Sequence, residues 1–196
     1  MFVDADLTHW GAHFVTGLLG PLLTDERVQL VRAAYARLRT ETDGTVTSDG
    51  GRLTELVARP LIGLHWPELA WVAQPLAGEW AARRSLMESL PVPVGYGVEL
   101  STLVDTVARH GLDAIAQVHL GVRGHRHRPD EDLALAATEL LAVASARVGG
   151  ARPESLWLHQ FKVDEEGWSP PTARPVTVGE RPPATSVPDY PAATRR

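Results

Sequence analysis

Four short segments of this 196-residue chain carry side chains whose types and spacing could do chemistry. Asp4-Ala5-Asp6 follows the apolar run Met1 to Val3, so two carboxylates stand two residues apart where a short strand empties into a loop. Hard oxygen donors in that spacing suit magnesium or manganese, and a cation held there can neutralise a leaving nucleoside diphosphate. The triplet alone is a weak signal, because Asp-x-Asp also serves as an ordinary solvated turn. Arg123-Gly124-His125-Arg126-His127-Arg128 follows an expected strand over 114–122. A neutral imidazole at a strand end can ligate a metal and flanking arginines can grip phosphate, although a solvated basic loop is the plainer reading. Gly50-Gly51-Arg52-Leu53-Thr54 stands where a helix is expected to begin. Free backbone N–H groups, a guanidinium and a hydroxyl together make an anion cradle, against the alternative of a glycine hinge with a helix cap. Gly95-Tyr96-Gly97-Val98-Glu99 places a carboxylate just after a flexible turn. A surface glutamate in a first helical turn, favoured by the helix dipole, has the same pattern.

Other tempting residues have simpler explanations. His9, His13, His65 and His110 fall on expected helices or their ends, where capping or surface roles are the default. Trp66, Trp71 and Trp80 lie in or near apolar segments and read as core packing. Asp105 fits a helix face and Asp113 a turn.

The elements that must position these groups alternate between helix and strand. Trp10 to Leu23 has apolar residues at helical spacing, interrupted near Gly20-Pro21. Val28 to Leu38 is ambiguous: Val-Gln-Leu-Val favours a strand and the alanine-rich middle favours a helix. Glu41 to Gly51 is loop-like, a helix is expected from Arg52 to about His65, and Glu68 to Leu76 fits a short buried strand between prolines. Gly78 to Leu90 has a helical pattern closed by Pro91 and Pro93. A helix through about Arg109 should follow the Gly95 turn, then a strand from Ala114 to Val122 and a long helix from Pro129 to Arg147. Leu156 to Val163 could form a further strand. The fold class expected is therefore α/β. Residues 1–164 form the body, and 165–196 form a proline-rich tail. The tail's seven prolines from Pro170 to Pro191 leave it extended or disordered.

Composition narrows the function classes. A 44% hydrophobic, 22% charged chain can bury a real core. The net charge of -5 argues against nucleic acid as a partner. With no cysteine there is no disulfide, thiolate metal site or cysteine nucleophile, which is compatible with a cytoplasmic location. The apolar stretch from Leu133 to Val148 is broken by Thr138, Glu139 and Ser145 and is too short to span a membrane. Met1-Phe2-Val3-Asp4 has no signal-peptide character and reads as the end of a buried strand, so the domain is expected to extend upstream.

Several blocks in fixed order resemble the glucosyl-3-phosphoglycerate synthases, a family of retaining glycosyltransferases. They are Gly51 to Leu61, Pro67-Glu68-Leu69, Gln74 to Glu79, Gly95 to Glu99, Gly111 to Val118 with Leu120 to Arg123 and His125-Arg126, and Pro175 to Pro183. The resemblance runs from Phe2 to about Val187. It implies a GT-A-type fold without its N-terminal nucleotide-binding half, and transfer of glucose from UDP-glucose to the 2-hydroxyl of 3-phosphoglycerate with retention. It also implies a Mg2+ or Mn2+ cofactor and a homodimer. Carried over residue by residue, Asp4 and Asp6 would be the metal-and-donor motif, with His125 joining Asp6 at the metal. Gly51, Arg52 and Thr54 would hold the acceptor, with His127 beside them. Leu76, Tyr96 and Arg123 would line the donor, and Glu99 would be the catalytic carboxylate facing the glucose. A dianionic acceptor and a diphosphate donor need cationic side chains and a metal, so the set is chemically coherent.

The chain departs from the family at named positions. His127 and His119 stand where the family has asparagine, and Trp80 where it has a smaller aromatic. The upstream half, with the residues that grip uridine, has no counterpart here. The chain alone is therefore expected to bind UDP-glucose poorly and to show little or no transfer. The rival expectations are a glycosyltransferase with a different small acid acceptor and a non-catalytic relic that pairs with a full-length enzyme.

Overall fold

A computed structural model describes residues 1–190, except 6, 8–9, 41–45, 49–50, 124–129, 152, 162, 166 and 169. Its centre is a long strand, β1 (Leu30–Thr40), the segment whose sequence reads equally as helix or strand. Burial on both faces decides it. Val31, Ala33 and Tyr35 point to one side and Leu30 and Arg32 to the other, all at most 3% exposed. A strand of that kind has no polar face to show alternation, so its sequence pattern is uninformative.

β1 pairs in parallel with β5 (Ile115–Arg123) and antiparallel with β3 (Trp80–Ala82), while its far end turns back on β2 (Val46–Ser48). Phe2 continues the sheet beyond β3, exchanging backbone hydrogen bonds with Trp80 at 2.7 and 3.1 Å. The β1–β5 register slips between Ala34 and Ala36, where β5 carries one more residue than its partner. Gly121 takes the left-handed backbone of that bulge, at φ 82°. The bulge bends the backbone at the end of β5.

Helices cover both faces. α1 (Ala12–Thr24) places Phe14 and Leu18 against Val31, Ala33, Tyr35 and Leu120. Its C-terminal carbonyls are capped from β3's side, since Arg83 donates to Leu22 and Asp25 carbonyls, both at 3.0 Å. The opposite face carries the larger cluster, where α4 (Val98–His110) and α5 (Asp130–Arg147) bring Leu100, Leu103 and Leu140 onto Leu30 and Ile115. The expected α/β class is thus the one found.

Two expected elements differ. Glu68 to Leu76 holds no strand: a single 3-10 turn, Pro67–Leu69, leads into a loop anchored by buried Leu69 and Val72. The prolines bounding that segment fit turn geometry at least as well as strand ends. Gly78 to Leu90 is divided, with β3 first and a short helix, α3 (Arg84–Ser89), after it. Glu79, Trp80 and Ala81 are buried on both sides of the strand, and pairing with β1 and Phe2 overrides their helical spacing. Among the described residues beyond 164, short extended pieces precede a 3-10 turn at Ala184–Ser186. β9 (Thr172–Val176) pairs with β6 (Leu156–Gln160), and β10 (Glu180–Arg181) pairs with β4 (Val92–Pro93).

Candidate functional site

The loop carrying Leu76 leaves the 3-10 turn and crosses the end of the sheet, held by side chains that replace backbone pairing. Gln74 acts as a surrogate strand residue, accepting from the Tyr35 N–H at 3.3 Å and donating to the Tyr35 carbonyl at 2.5 Å. Gln117 does the same for the preceding residues, accepting from Ala73 N–H at 2.7 Å and donating to the Trp71 carbonyl at 3.3 Å. Arg59 adds a bond to the Ala73 carbonyl at 2.7 Å. So tied down, the loop presents Leu76 against the main core cluster and brings Gly78 beside Asp4. The approach is close: a methyl group on Gly78 would lie 2.4 Å from Asp4 Oδ1, so a larger residue there would displace the Asp4 carboxylate. Asp4 also borders an open groove of about 370 Å3 walled by Met1, Val3, Leu7, Trp10 and Phe14.

Glu99 stands in the first turn of α4, reached through the Gly95-Tyr96-Gly97 turn. Gly95 has φ 89°, and a methyl there would meet Glu139 Oε2 at 2.5 Å. The buried Glu139 carboxylate of α5 accepts from the Tyr96 N–H at 2.8 Å and, through its other oxygen, from the Thr177 N–H at 3.3 Å. The turn is thereby fixed between α5 and the C-terminal segment, and Tyr96 is left 40% exposed at the surface.

Burial pushes the Glu99 carboxyl above its ordinary range; the Arg32 guanidinium pulls it down, and the negative charges of Asp4 and Glu79 push it up again. The net effect is upward. Asp4, Glu79, Glu99 and Arg32 therefore share one electrostatic neighbourhood, joined by the Leu76 to Gly78 loop. Arg32 is 1% exposed, stacks with its guanidinium carbon 5.2 Å from the Trp80 ring, and donates to the Ala77 and Glu99 carbonyls and to Thr102 Oγ1.

The expected acceptor segment opens a helix, as its sequence suggests. The Gly51 carbonyl accepts from Thr54 N–H at 2.8 Å and Glu55 N–H at 3.1 Å. A π-helical turn, Thr54–Ala58, follows and runs into α2 (Arg59–His65). Such wide turns often mark functional sites. Thr54 is buried and Arg52 half-buried. Arg123 ends β5 opposite Arg37. Asp6, His125 and His127 lie outside the described residues. Among the described residues no three Asp, Glu or His side chains gather as metal ligands.

The structure adds three residues that sequence reading passed over: Arg32, Glu79 and Glu139. Arg32 had a faint signal, a lone charge inside the apolar run Leu30 to Ala36. Glu139 showed only as a charge interrupting the apolar stretch Leu133 to Val148, with nothing to tell which backbone groups it would meet. Of the discounted tryptophans, Trp80 is buried, whereas Trp71 is 48% exposed.

No family model matches the chain. It is 50% identical over 152 residues to the glucosyl-3-phosphoglycerate synthase of Mycobacterium tuberculosis H37Rv, covering 76% of this chain and 47% of that protein. It is 45% identical over 186 residues to the synthase of the same name from Mycolicibacterium smegmatis, covering 95% of this chain and 61% of that protein. A crystal structure of the Mycobacterium tuberculosis synthase with Mn2+, UDP and glucosyl-3-phosphoglycerate is similar at a TM-score of 0.80 and 44% identity, covering 93% of this chain and 59% of that one. The chain thus spans about half to three-fifths of the length of the proteins it matches, in their C-terminal part.

Proposed function

We propose that this chain, a relative of the C-terminal part of the glucosyl-3-phosphoglycerate synthases, carries the acceptor-binding and sugar-facing portion of a metal-dependent glucosyltransferase. Glucose passes from UDP-glucose to the 2-hydroxyl of 3-phosphoglycerate. The bond from the anomeric carbon to UDP breaks, a bond from that carbon to the acceptor oxygen forms with retained configuration, and the hydroxyl proton passes to the departing diphosphate. The observation that carries this reading is the meeting of Asp4, the Leu76 to Gly78 loop and Glu99 at one end of the sheet, around a buried arginine.

Each residue then has a physical role. Arg52, with the backbone around Gly51 and the Thr54 hydroxyl, holds the acceptor's phosphate and carboxylate at the start of the helix, with His127 beside it. Leu76 and Tyr96 line the glucose, and Arg123 faces the diphosphate. Glu99 stabilises positive charge developing on the anomeric carbon, a task suited to a partly desolvated carboxylate. Asp6 and His125 would hold Mg2+ or Mn2+ beside Asp4. Carboxylate and imidazole donors fit such a cation, and when bound it neutralises charge on the leaving diphosphate. The 196 residues alone should transfer glucose slowly or not at all, and should pair with a second copy.

Saturation-transfer NMR on the purified chain tests the acceptor assignment. 3-Phosphoglycerate should bind in preference to 2-phosphoglycerate, glycerate and inorganic phosphate. Equal response to all four would sink it, and preference for another small acid would name a different acceptor.

A further inference from the structure

We propose that Arg32 is a positioning residue of the donor-sugar site, holding the Leu76 to Gly78 loop and the first turn of α4 at a fixed separation. The proposal rests on the sugar-nucleotide reading above and adds a residue to it.

Arg32 lies on the face of β1 that looks toward α4, at 1% exposure. One terminal nitrogen, Nη1, donates to the Ala77 carbonyl at 3.2 Å, within the loop between Leu76 and Gly78. The other, Nη2, donates to the Glu99 carbonyl and to Thr102 Oγ1, both in the first turns of α4. Thr102 in turn reaches back to the Val98 carbonyl at 2.8 Å and the Glu99 carbonyl at 3.0 Å. A single planar fork thus spans two segments that no backbone ladder joins, and those segments carry Leu76 and Glu99. The Trp80 indole closes the remaining side and fixes the plane of the guanidinium.

Stability alone gives a poor account of this arrangement. Taking a guanidinium out of water is costly, and in the interior the usual compensation is a hydrogen-bonded carboxylate. Here the hydrogen-bond acceptors are two carbonyls and a hydroxyl, and the Glu99 charge acts on the guanidinium through space, so charge pairing alone does not account for the fork. What the arginine supplies and methionine cannot is a rigid three-acceptor bridge, together with a positive charge beside Glu99. Burial lowers its pKa to about 10, which leaves it charged at neutral pH.

The test uses the full chain and three variants: Arg32→Met, Arg32→Lys and Thr102→Val. Hydrogen–deuterium exchange read by mass spectrometry should show Arg32→Met exchanging at least tenfold faster over residues 74–79 and 98–103, with 115–120 unchanged. Thr102→Val should loosen 98–103 alone. Arg32→Lys keeps the charge but not the fork, and should restore one of the two segments, not both. Alongside, saturation-transfer NMR compares UDP-glucose with UDP in the presence of Mg2+. Arg32→Met should weaken the glucose-moiety response and leave that of UDP unchanged. Exchange that rises everywhere, or in neither segment, overturns the positioning role and leaves the glucosyltransferase reading intact. If Arg32→Met fails to fold, an unchanged 98–103 in Thr102→Val overturns it equally. Localised loosening in Arg32→Met with a glucose-moiety response equal to wild type would instead overturn the assignment to a sugar site and leave the bridging of the two segments intact.

Discussion

Replacing Glu139 tests how the Tyr96 turn is built. Its two carboxylate oxygens hold two backbone N–H groups from different segments, Tyr96 at 2.8 Å and Thr177 at 3.3 Å, in surroundings where the side chain is only 6% exposed. A hydrogen bond to a charged acceptor contributes about 1.5–3 kcal/mol, and the longer bond lies past the usual N–H···O range and belongs at or below that floor. Glu139→Ala removes both and leaves the Tyr96 N–H without its acceptor, while relieving some of the cost of a buried charge. The net loss should be about 2–4 kcal/mol, or roughly 5–15 °C in Tm for a chain of this size. Glu139→Gln keeps one acceptor oxygen and should lose about half as much. Thermal denaturation followed by circular dichroism gives the totals, and amide exchange at Tyr96 and Thr177 assigns them. In Glu139→Ala both amides should lose protection, and in Glu139→Gln only one. A Tm within about 1 °C of wild type for Glu139→Ala would refute the claim that this carboxylate holds the turn.

Three further substitutions probe the frame and the site. Glu99→Gln should stabilise the chain at neutral pH. A carboxyl raised above its ordinary 4.5 gives stability that is present at low pH and lost as pH rises through the folded value. A tenfold change in proton affinity is worth about 1.4 kcal/mol, so urea melts at pH 5 and pH 8 should diverge more for wild type than for the variant. Arg147→Met breaks the link from α5 to Asp105 at 2.8 Å and Glu180 at 2.7 Å, which ties α4 to the C-terminal segment. It should cost about 2–3 kcal/mol by chemical denaturation and expose residues 178–182 to limited proteolysis. Leu103→Ala empties a fully buried position between α4 and the sheet and should cost about 2–5 kcal/mol in the same assay.

Much of this was legible from residue order alone. α4 announces itself by apolar spacing and by the turn chemistry before it, α5 by its length after Asp130, and β5 by its run of Ile115 to Val122. The candidate segments at Asp4, Gly51 to Thr54 and Gly95 to Glu99 were visible because each couples a reactive group to a glycine or a strand end. β1 was not, because burial on both faces erases the alternation that marks a strand. β3 was not, because three residues are too few to show a period, and only pairing with Arg32 and Phe2 makes them a strand. The roles of Arg32 and Glu139 lie beyond any local pattern. Their partners are 45 and 70 positions away for Arg32, and 43 and 38 for Glu139.

The most direct test of the central claim is calorimetric titration of 3-phosphoglycerate into the purified chain and its Arg52→Ala variant. The account predicts saturable binding to the wild type and at least a tenfold loss in the variant, as expected when about 1.5–3 kcal/mol of charge-assisted hydrogen bonding is removed. A folded wild-type chain that takes up no 3-phosphoglycerate, or an Arg52→Ala variant that binds it equally well, would contradict the assignment of this segment as the acceptor site.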